Sequence, residues 1–249
     1  MTRLTTCPDA ETVAQRAATH IALQLRAAHE QRGVAHVALS GGTTPGRTYE
    51  LLGATPEALG GVEVWFADER CVPPQDEESN YRLVAQTLLA GAGVPPERVH
   101  RMRGEEGPEE GARVYAQELT GHVAGASGRA GLHTPPVLDL IVLGIGPDGH
   151  VASLFPGAAT LDAGADAVCL GVHDSPKPPP ERITLSLAVL LAARECVLLA
   201  TGASKADAVA AMLGEPSRHV PASLLRRERL TVLLDDAAAG RAGQAGSPS

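Results

Sequence analysis

Three times in this chain a short apolar run ends among glycines and hydroxyls and then passes into a helical pattern. Residues 34–39 (VAHVAL) lead into Ser40-Gly41-Gly42-Thr43-Thr44-Pro45-Gly46, followed by a helical stretch over 47–52. Residues 140–143 (LIVL) lead into Gly144, Gly146 and Gly149, with Pro147 and Asp148 between them and His150 directly after. Cys196–Ala200 (CVLLA) leads into Thr201-Gly202-Ala203-Ser204-Lys205 and a helix continuing to Leu213. Apolar runs this short and without alternation fit strands buried on both faces. A strand buried on both faces and followed by a helix implies a parallel sheet, because each return crossing needs a helix to cover it. The expected fold is therefore α/β: a three-layer, mostly parallel, Rossmann-like sheet with helices on both faces.

The rest of the chain fits that frame. Residues 9–32 read as an amphipathic helix capped by Asp9 and ended by Gly33, with Val13, Ala17, Ile21 and Leu25 at helical spacing. Val62–Phe66 is a strand running into Ala67-Asp68-Glu69-Arg70, and Ser79 or Asn80 can cap a helix reaching about residue 90. Residues 91–136 hold loops, an acidic run over 105–110 that reads as a solvated face, and one helix over 111–123. A strand over 167–172 precedes a proline-rich loop, His173 to Leu185, then a helical segment over 186–193, and residues 230–234 form a last strand. No repeat or clean linker divides the chain, so residues 1–236 are expected to form one domain with a flexible tail over 237–249.

Composition sets limits on function. The formal charge of -8 argues against nucleic acid, whose binders present a basic face. It also requires any anionic ligand to find a locally basic pocket. The four cysteines form no C-x-x-C pair and the nine histidines no metal-ligand spacing, so neither a metal nor a disulfide framework is expected. No apolar run approaches the roughly 18 residues of a membrane span, and no secretory leader precedes the first helix. A cytoplasmic protein with no membrane partner is the expectation.

In open α/β sheets, ligands bind beyond the carboxyl ends of the strands, and the conspicuous residues all fall there. Ser40, Gly41, Gly42, Thr43 and Thr44 form a hydroxyl–glycine cradle at a helix start, suited to a phosphate. It is not a Walker loop, because the G-x-x-x-x-G-K pattern is absent. Asp68, Glu69 and Arg70 end another strand, and Arg182 and Lys205 add positive charge. His150 can exchange protons near neutral pH. A glycine-rich turn with a surface histidine is the plainer reading of the same residues. Taken together, they describe a site for a small phosphorylated molecule undergoing acid–base chemistry, with no cofactor required.

Six stretches sharpen this. Leu39-Ser-Gly-Gly-Thr-Thr-Pro45, Trp65-Phe-Ala-Asp-Glu-Arg70, Ser79-Asn80-Tyr81, Gly144-Ile-Gly-Pro-Asp-Gly-His-Val-Ala-Ser-Leu-Phe-Pro156, Ser175-Pro-Lys-Pro-Pro-Pro-Glu-Arg-Ile-Thr-Leu185 and Thr201-Gly-Ala-Ser-Lys205 resemble, in order, the motifs of the 6-phosphogluconolactonases. The resemblance implies hydrolysis of 6-phosphoglucono-δ-lactone, with His150 the catalytic base that takes a proton from the attacking water. It implies that residues 40–44, Arg70, Arg182 and Lys205 hold the phosphate and the sugar. Asp148 would orient either the imidazole or the water. Asp68 and Glu69 would bind sugar hydroxyls or simply position Arg70. Arginine or backbone N–H groups are both candidates for the oxyanion. A monomer acting on a phosphorylated sugar lactone is expected. Glucosamine-6-phosphate isomerases (deaminases) are similar in the cradle, the Asp-Glu pair and the G-x-D-G-H turn. In that family the residue matching Asp68 abstracts a proton, an Asn-Glu-Pro segment follows the histidine, and an aromatic usually stands where this chain has Arg70. A non-catalytic sugar-phosphate sensor is the third reading, but a sensor would not need the histidine turn.

Overall fold

The unalternating apolar runs form a six-stranded sheet whose strands are all parallel. The structure, a computed structural model, describes residues 2–123 and 134–240. The strands of this sheet are β1 (Arg3–Cys7), β2 (Ala35–Leu39), β3 (Val62–Phe66), β5 (Leu140–Gly144), β8 (Cys196–Ala200) and β9 (Leu230–Asp235), in the order β1-β9-β8-β5-β2-β3. β5 lies inside, paired with β2 through Val37–Leu140 and with β8 through Ile141–Cys196, and Leu140 to Leu143 are fully buried. The chain first steps outward from β2 to β3 and later returns to the other side of β2 as β5. That reversal leaves a crevice at the carboxyl ends of β2 and β5, the place where doubly wound folds bind ligands.

Helices surround the sheet, as parallel crossovers require. In α1 (Ala10–Arg32) the Asp9 carboxylate accepts from Thr12 N at 2.7 Å, and the left-handed Gly33 returns its N–H to His29 O at 2.7 Å. Its stripe of Val13, Ala17, Ile21 and Leu25 is buried, where the helix packs along β2, β5, β8 and β9. α2 (Thr43–Gly53) starts a turn earlier than its helical pattern suggests. Pro45 sits in the first turn, where its missing N–H breaks no helical bond. The cradle is therefore the helix start itself.

Three features differ from the sequence reading. Residues 68–70 do not end β3 but form a separate strand, β4 (Asp68–Arg70). With β7 (Arg182–Leu185) and β6 (Cys169–Val172) it makes a second, antiparallel sheet ordered β4-β7-β6. Ala67 is the hinge between the sheets: its N–H bonds Leu39 O of β2, and its carbonyl accepts from Leu185 N of β7. β7 reads as the end of a proline loop because it is short and adjoins the proline run. β1 escapes notice because its burial is uneven and only its pairing with β9 defines it.

The helix capped by Ser79 runs as α3 (Asn80–Val84), widens into a π-helical turn over Ala85–Leu89 and closes as α4 (Ala90–Ala92). The acidic run is not merely a solvated face: Glu109 and Glu110 lie in the first turn of α5 (Pro108–Val123), and Glu105 and Glu106 pair with Arg101 and Arg103. The segment over 186–193 forms α6 (Leu187–Ala192) behind its Ser186 cap, and α7 (Ala206–Leu213) follows β8. The first residues of the expected tail are drawn in, with Ala238 buried beneath a bond from its N–H to Asp235. Residues 125–133 of the expected loop and 241–249 of the expected tail lie outside the described residues. One cluster of buried apolar side chains runs from Cys7 to Ala238.

Candidate active site

The loops after β2, β5 and β8 meet the β4–β7 pair around a cavity of about 290 Å³. Its lining contains Ser40, Gly41, Gly42, Thr43, Thr44, Asp68, Arg70, His150, Arg182 and Lys205, so ten of the twelve residues expected at the site border one space. Of the other two, Asp148 stands behind His150, and neither it nor Glu69 lines the cavity. The floor comes from Gly144, Ile145, Gly146 and Leu199 at the strand ends. No described residue between 101 and 136 lines the cavity.

Close packing fixes the loops. A Cβ at Gly41 would overlap the Asn80 amide, and one at Gly146 would overlap both His150 and Asp148. Glycine at these two positions lets the loop backbones close against side chains that the site holds in place. The Thr44 and Thr201 hydroxyls meet at 2.6 Å, tying the cradle after β2 to the loop after β8. Asp235 accepts from Gly202 N at 2.9 Å and braces that loop from below. Ser40 lines the cavity, and its Oγ is buried among these loops with no partner.

His150 Nδ1 meets Asp148 Oδ1 at 2.6 Å, and Lys177 Nζ approaches the same oxygen at 3.6 Å. Burial pushes the imidazole below its ordinary value, with the Asp148 carboxylate opposing. Burial alone would raise Asp148, but the His150 bond, the His150 charge and Lys177 carry it below the usual carboxylate range. With Nδ1–H donated to Asp148, the neutral ring carries its lone pair on Nε2.

Four cations line the cavity: Arg70, Lys177, Arg182 and Lys205, against the single carboxylate of Asp68. Antiparallel register sets Arg70 directly across from Arg182, an arrangement that is unfavourable without an anion. Arg182 is held below its ordinary value by burial first and then by Arg70. Lys205 is lowered by burial and by Lys177. Arg182 is anchored through Nε to Pro179 O and through Nη2 to the Lys177 and Pro178 carbonyls, so the proline loop is built around its guanidinium. A protein of net charge -8 thus concentrates positive charge at one strand edge.

The carboxylates at β4 divide sharply. Asp68 faces the cavity with Oδ2 accepting from Ser153 Oγ at 2.8 Å and Oδ1 from Asn80 Nδ2 at 3.2 Å. Glu69 turns away and accepts from Ser79 Oγ and from the N–H groups of Arg70, Asn80 and Tyr81. Its carboxylate fixes the start of α3 and does not reach a ligand. Sequence reasoning missed Asn80, Lys177 and Ser153 as site members. Asn80 and Ser153 each lie within a recognised motif, but nothing local says that both reach Asp68.

Fold and cavity together define a doubly wound α/β protein with a cation-lined cavity beside a carboxylate-supported histidine. Residues 8–234 match the model described as glucosamine-6-phosphate isomerases/6-phosphogluconolactonase. The chain belongs to this family. It is 40% identical to a 6-phosphogluconolactonase of Streptomyces coelicolor over 94% of this chain and 92% of that one. It superposes on a 6-phosphogluconolactonase from Trypanosoma cruzi with a TM-score of 0.85 at 25% identity, covering 96% of both chains. A monomeric glucosamine-6-phosphate deaminase shares the fold, with a TM-score of 0.77 at 23% identity over 96% of this chain and 99% of that one.

Proposed function

We propose that this protein hydrolyses 6-phosphoglucono-δ-lactone to 6-phosphogluconate, with His150 as general base. The observation that carries the proposal is the His150–Asp148 pair at 2.6 Å, set at the edge of a cavity lined by four cations. The likeness to 6-phosphogluconolactonases over nearly the whole chain supports the same reading.

Nε2 of the neutral imidazole takes a proton from water as the water oxygen attacks the lactone carbonyl. Asp148 holds the ring and stabilises the imidazolium that forms. Collapse of the tetrahedral adduct breaks the bond to the ring oxygen, which recovers the proton from His150 and leaves as a hydroxyl. Arg70 and Arg182 are the side-chain donors placed to meet the oxyanion. Lys205, Lys177 and the cradle of Ser40, Gly41, Gly42, Thr43 and Thr44 hold the phosphate. Asp68 accepts from a sugar hydroxyl while remaining tied to Ser153 and Asn80. Those two bonds also argue against the isomerase reading, in which this aspartate abstracts the proton.

We read residues 1–236 as one domain on the strength of the single apolar cluster. A monomer in the cytoplasm fits a surface on which, among the described residues, only Leu4 and Leu23 are exposed large apolar side chains, and fits four free cysteines. Light scattering after size exclusion tests the monomer. Among the described residues no helix is long and apolar enough to cross a membrane.

The deciding experiment generates the lactone in situ and follows acid release, corrected for spontaneous opening, with glucosamine 6-phosphate assayed beside it. Enzyme-dependent opening that disappears in His150→Ala is expected. Ammonia or ketose from glucosamine 6-phosphate, without lactone opening, would move the activity to the isomerase. Binding without turnover of either would leave the sensor.

A further inference from the structure

One side chain packed behind the cavity's lining has no part in the chemistry above. Phe155 is one of two phenylalanines in the chain, and it is buried. Its ring centroid lies 4.7 Å from that of His150, tilted by 44°. The guanidinium carbon of Arg182 stands over the same ring at 5.7 Å. One aromatic ring therefore neighbours both the candidate base, in the loop after β5, and a candidate oxyanion donor, at the start of β7. Phe155 also borders a second cavity of about 490 Å³, which it shares with Asp148, Val172, His173 and Ser175. His150 and Arg182 line the first cavity and not the second. The ring is thus part of the partition between the two.

We propose that Phe155 is a positioning residue, a single ring that fixes His150 and Arg182 relative to each other and keeps the second cavity's water off the imidazole. The physical basis has two parts. The ring's negative face attracts the Arg182 guanidinium and limits its swing, which matters because its side-chain hydrogen bonds all go to carbonyls of the proline loop. The ring also excludes water from one side of an imidazole whose basicity depends on burial. Leucine or methionine in its place would keep the site apolar but remove the aromatic face and loosen the partition. The groups facing His150 here are Asp148, Lys177 and Asp68, none of which these substitutions alter.

This proposal rests on His150 acting as the base, so its test has one arm that needs no turnover. The His150 imidazole is titrated by NMR in the wild type, Phe155→Leu, Phe155→Met and Phe155→Tyr, its signal being assigned by its loss in His150→Gln. In Phe155→Leu the His150 midpoint should move up, towards that of a solvated imidazole. The acid limb of kcat/KM should move up with it, because the neutral ring is the active form. Loosened geometry at the imidazole and at Arg182 should together lower kcat about tenfold, with KM changing far less, since the oxyanion exists only in the transition state. Phe155→Tyr keeps the ring and should restore midpoint, kcat and KM to near wild type. If Phe155→Leu does not fold, Phe155→Met carries the same expectations. An unchanged His150 midpoint together with an unchanged kcat would reduce Phe155 to ordinary packing and overturn the proposal. A wild type that opens no lactone would instead overturn the assigned reaction, while the titration would still judge the ring's effect on His150.

Discussion

His150 and His100 are both bonded to carboxylates, and the contrast between them shows what makes one of them a candidate for chemistry. His100 lies between β3 and α5 with Nδ1 at 2.6 Å from Glu118 and Nε2 at 2.8 Å from Glu63. Its ring stacks on Trp65 at 3.9 Å between centroids, and the residue is 5% exposed. His150 has only Nδ1 engaged, by Asp148, and lines the cavity. A carboxylate partner is thus common to both. The difference lies in the second nitrogen, stapled in one case and available to a ligand in the other. His100 joins a strand to a helix, whereas His150 leaves its second nitrogen without a bond beside the cavity.

The largest effect expected from this contrast is on rate. His150→Gln should lower kcat by about 10²-fold or more, with an unchanged melting temperature by calorimetry. Near-wild-type turnover would remove the base from His150.

His100→Ala should do the reverse. It leaves Glu63 and Glu118 facing each other and unstacks Trp65, at a cost of about 2 kcal/mol after allowing for partial solvent screening. For a chain of this size that is roughly a 5 °C fall in melting temperature. Because Trp65 is the only tryptophan, its emission reports the change directly. Lactone turnover should stay within about twofold; a large loss of kcat in a folded variant would erase the distinction between the two histidines.

Next comes ligand charge. Lys205→Ala should raise KM about tenfold while lowering kcat far less, since the phosphate lies away from the reacting carbon. An unchanged KM would take Lys205 out of the site.

The smallest effect is on stability against pH. Burial holds both His150 and His36 below their ordinary values in the fold. Below the unfolded imidazole value of about 6.5, the unfolded chain therefore binds protons that the folded chain does not. Stability should fall as pH drops from about 6.5 towards the folded values, and be fully present above that window. His36 Nδ1 accepts from Trp65 Nε1 at 3.2 Å, which suits an uncharged ring. His36→Asn should flatten part of this slope in melts taken between pH 7 and 5. A slope unchanged by that substitution would place the dependence elsewhere.

Much of this molecule was legible in its residues because the relevant signals are local. A short apolar run without alternation, bounded by glycines, fits a strand covered on both faces, and Asp9 and Gly33 mark helix ends by their own backbone preferences. The cradle, the His150 turn and Lys205 each sit where a strand ends, so the parallel fold alone implies that they share an edge. What the sequence could not decide is how that edge is assembled. Asp68 and Arg70 leave the main sheet at Ala67 and pair with Thr184 and Arg182 of β7, on the far side of the proline loop and more than a hundred residues along the chain.

That pairing sets Arg70 across from Arg182, and it depends on hydrogen-bond register between strands far apart in the chain. Asn80, Ser153 and Lys177 joined the site, Glu69 left it, and Asp148 moved behind His150 for the same reason: side-chain direction at a crowded edge is fixed by contacts over long sequence separations. The sequence by itself determined the parallel α/β frame and the residue types at its ligand-binding edge. Only the tertiary structure decided which of those side chains face the cavity, because burial and register are properties of the packed chain and not of any one segment.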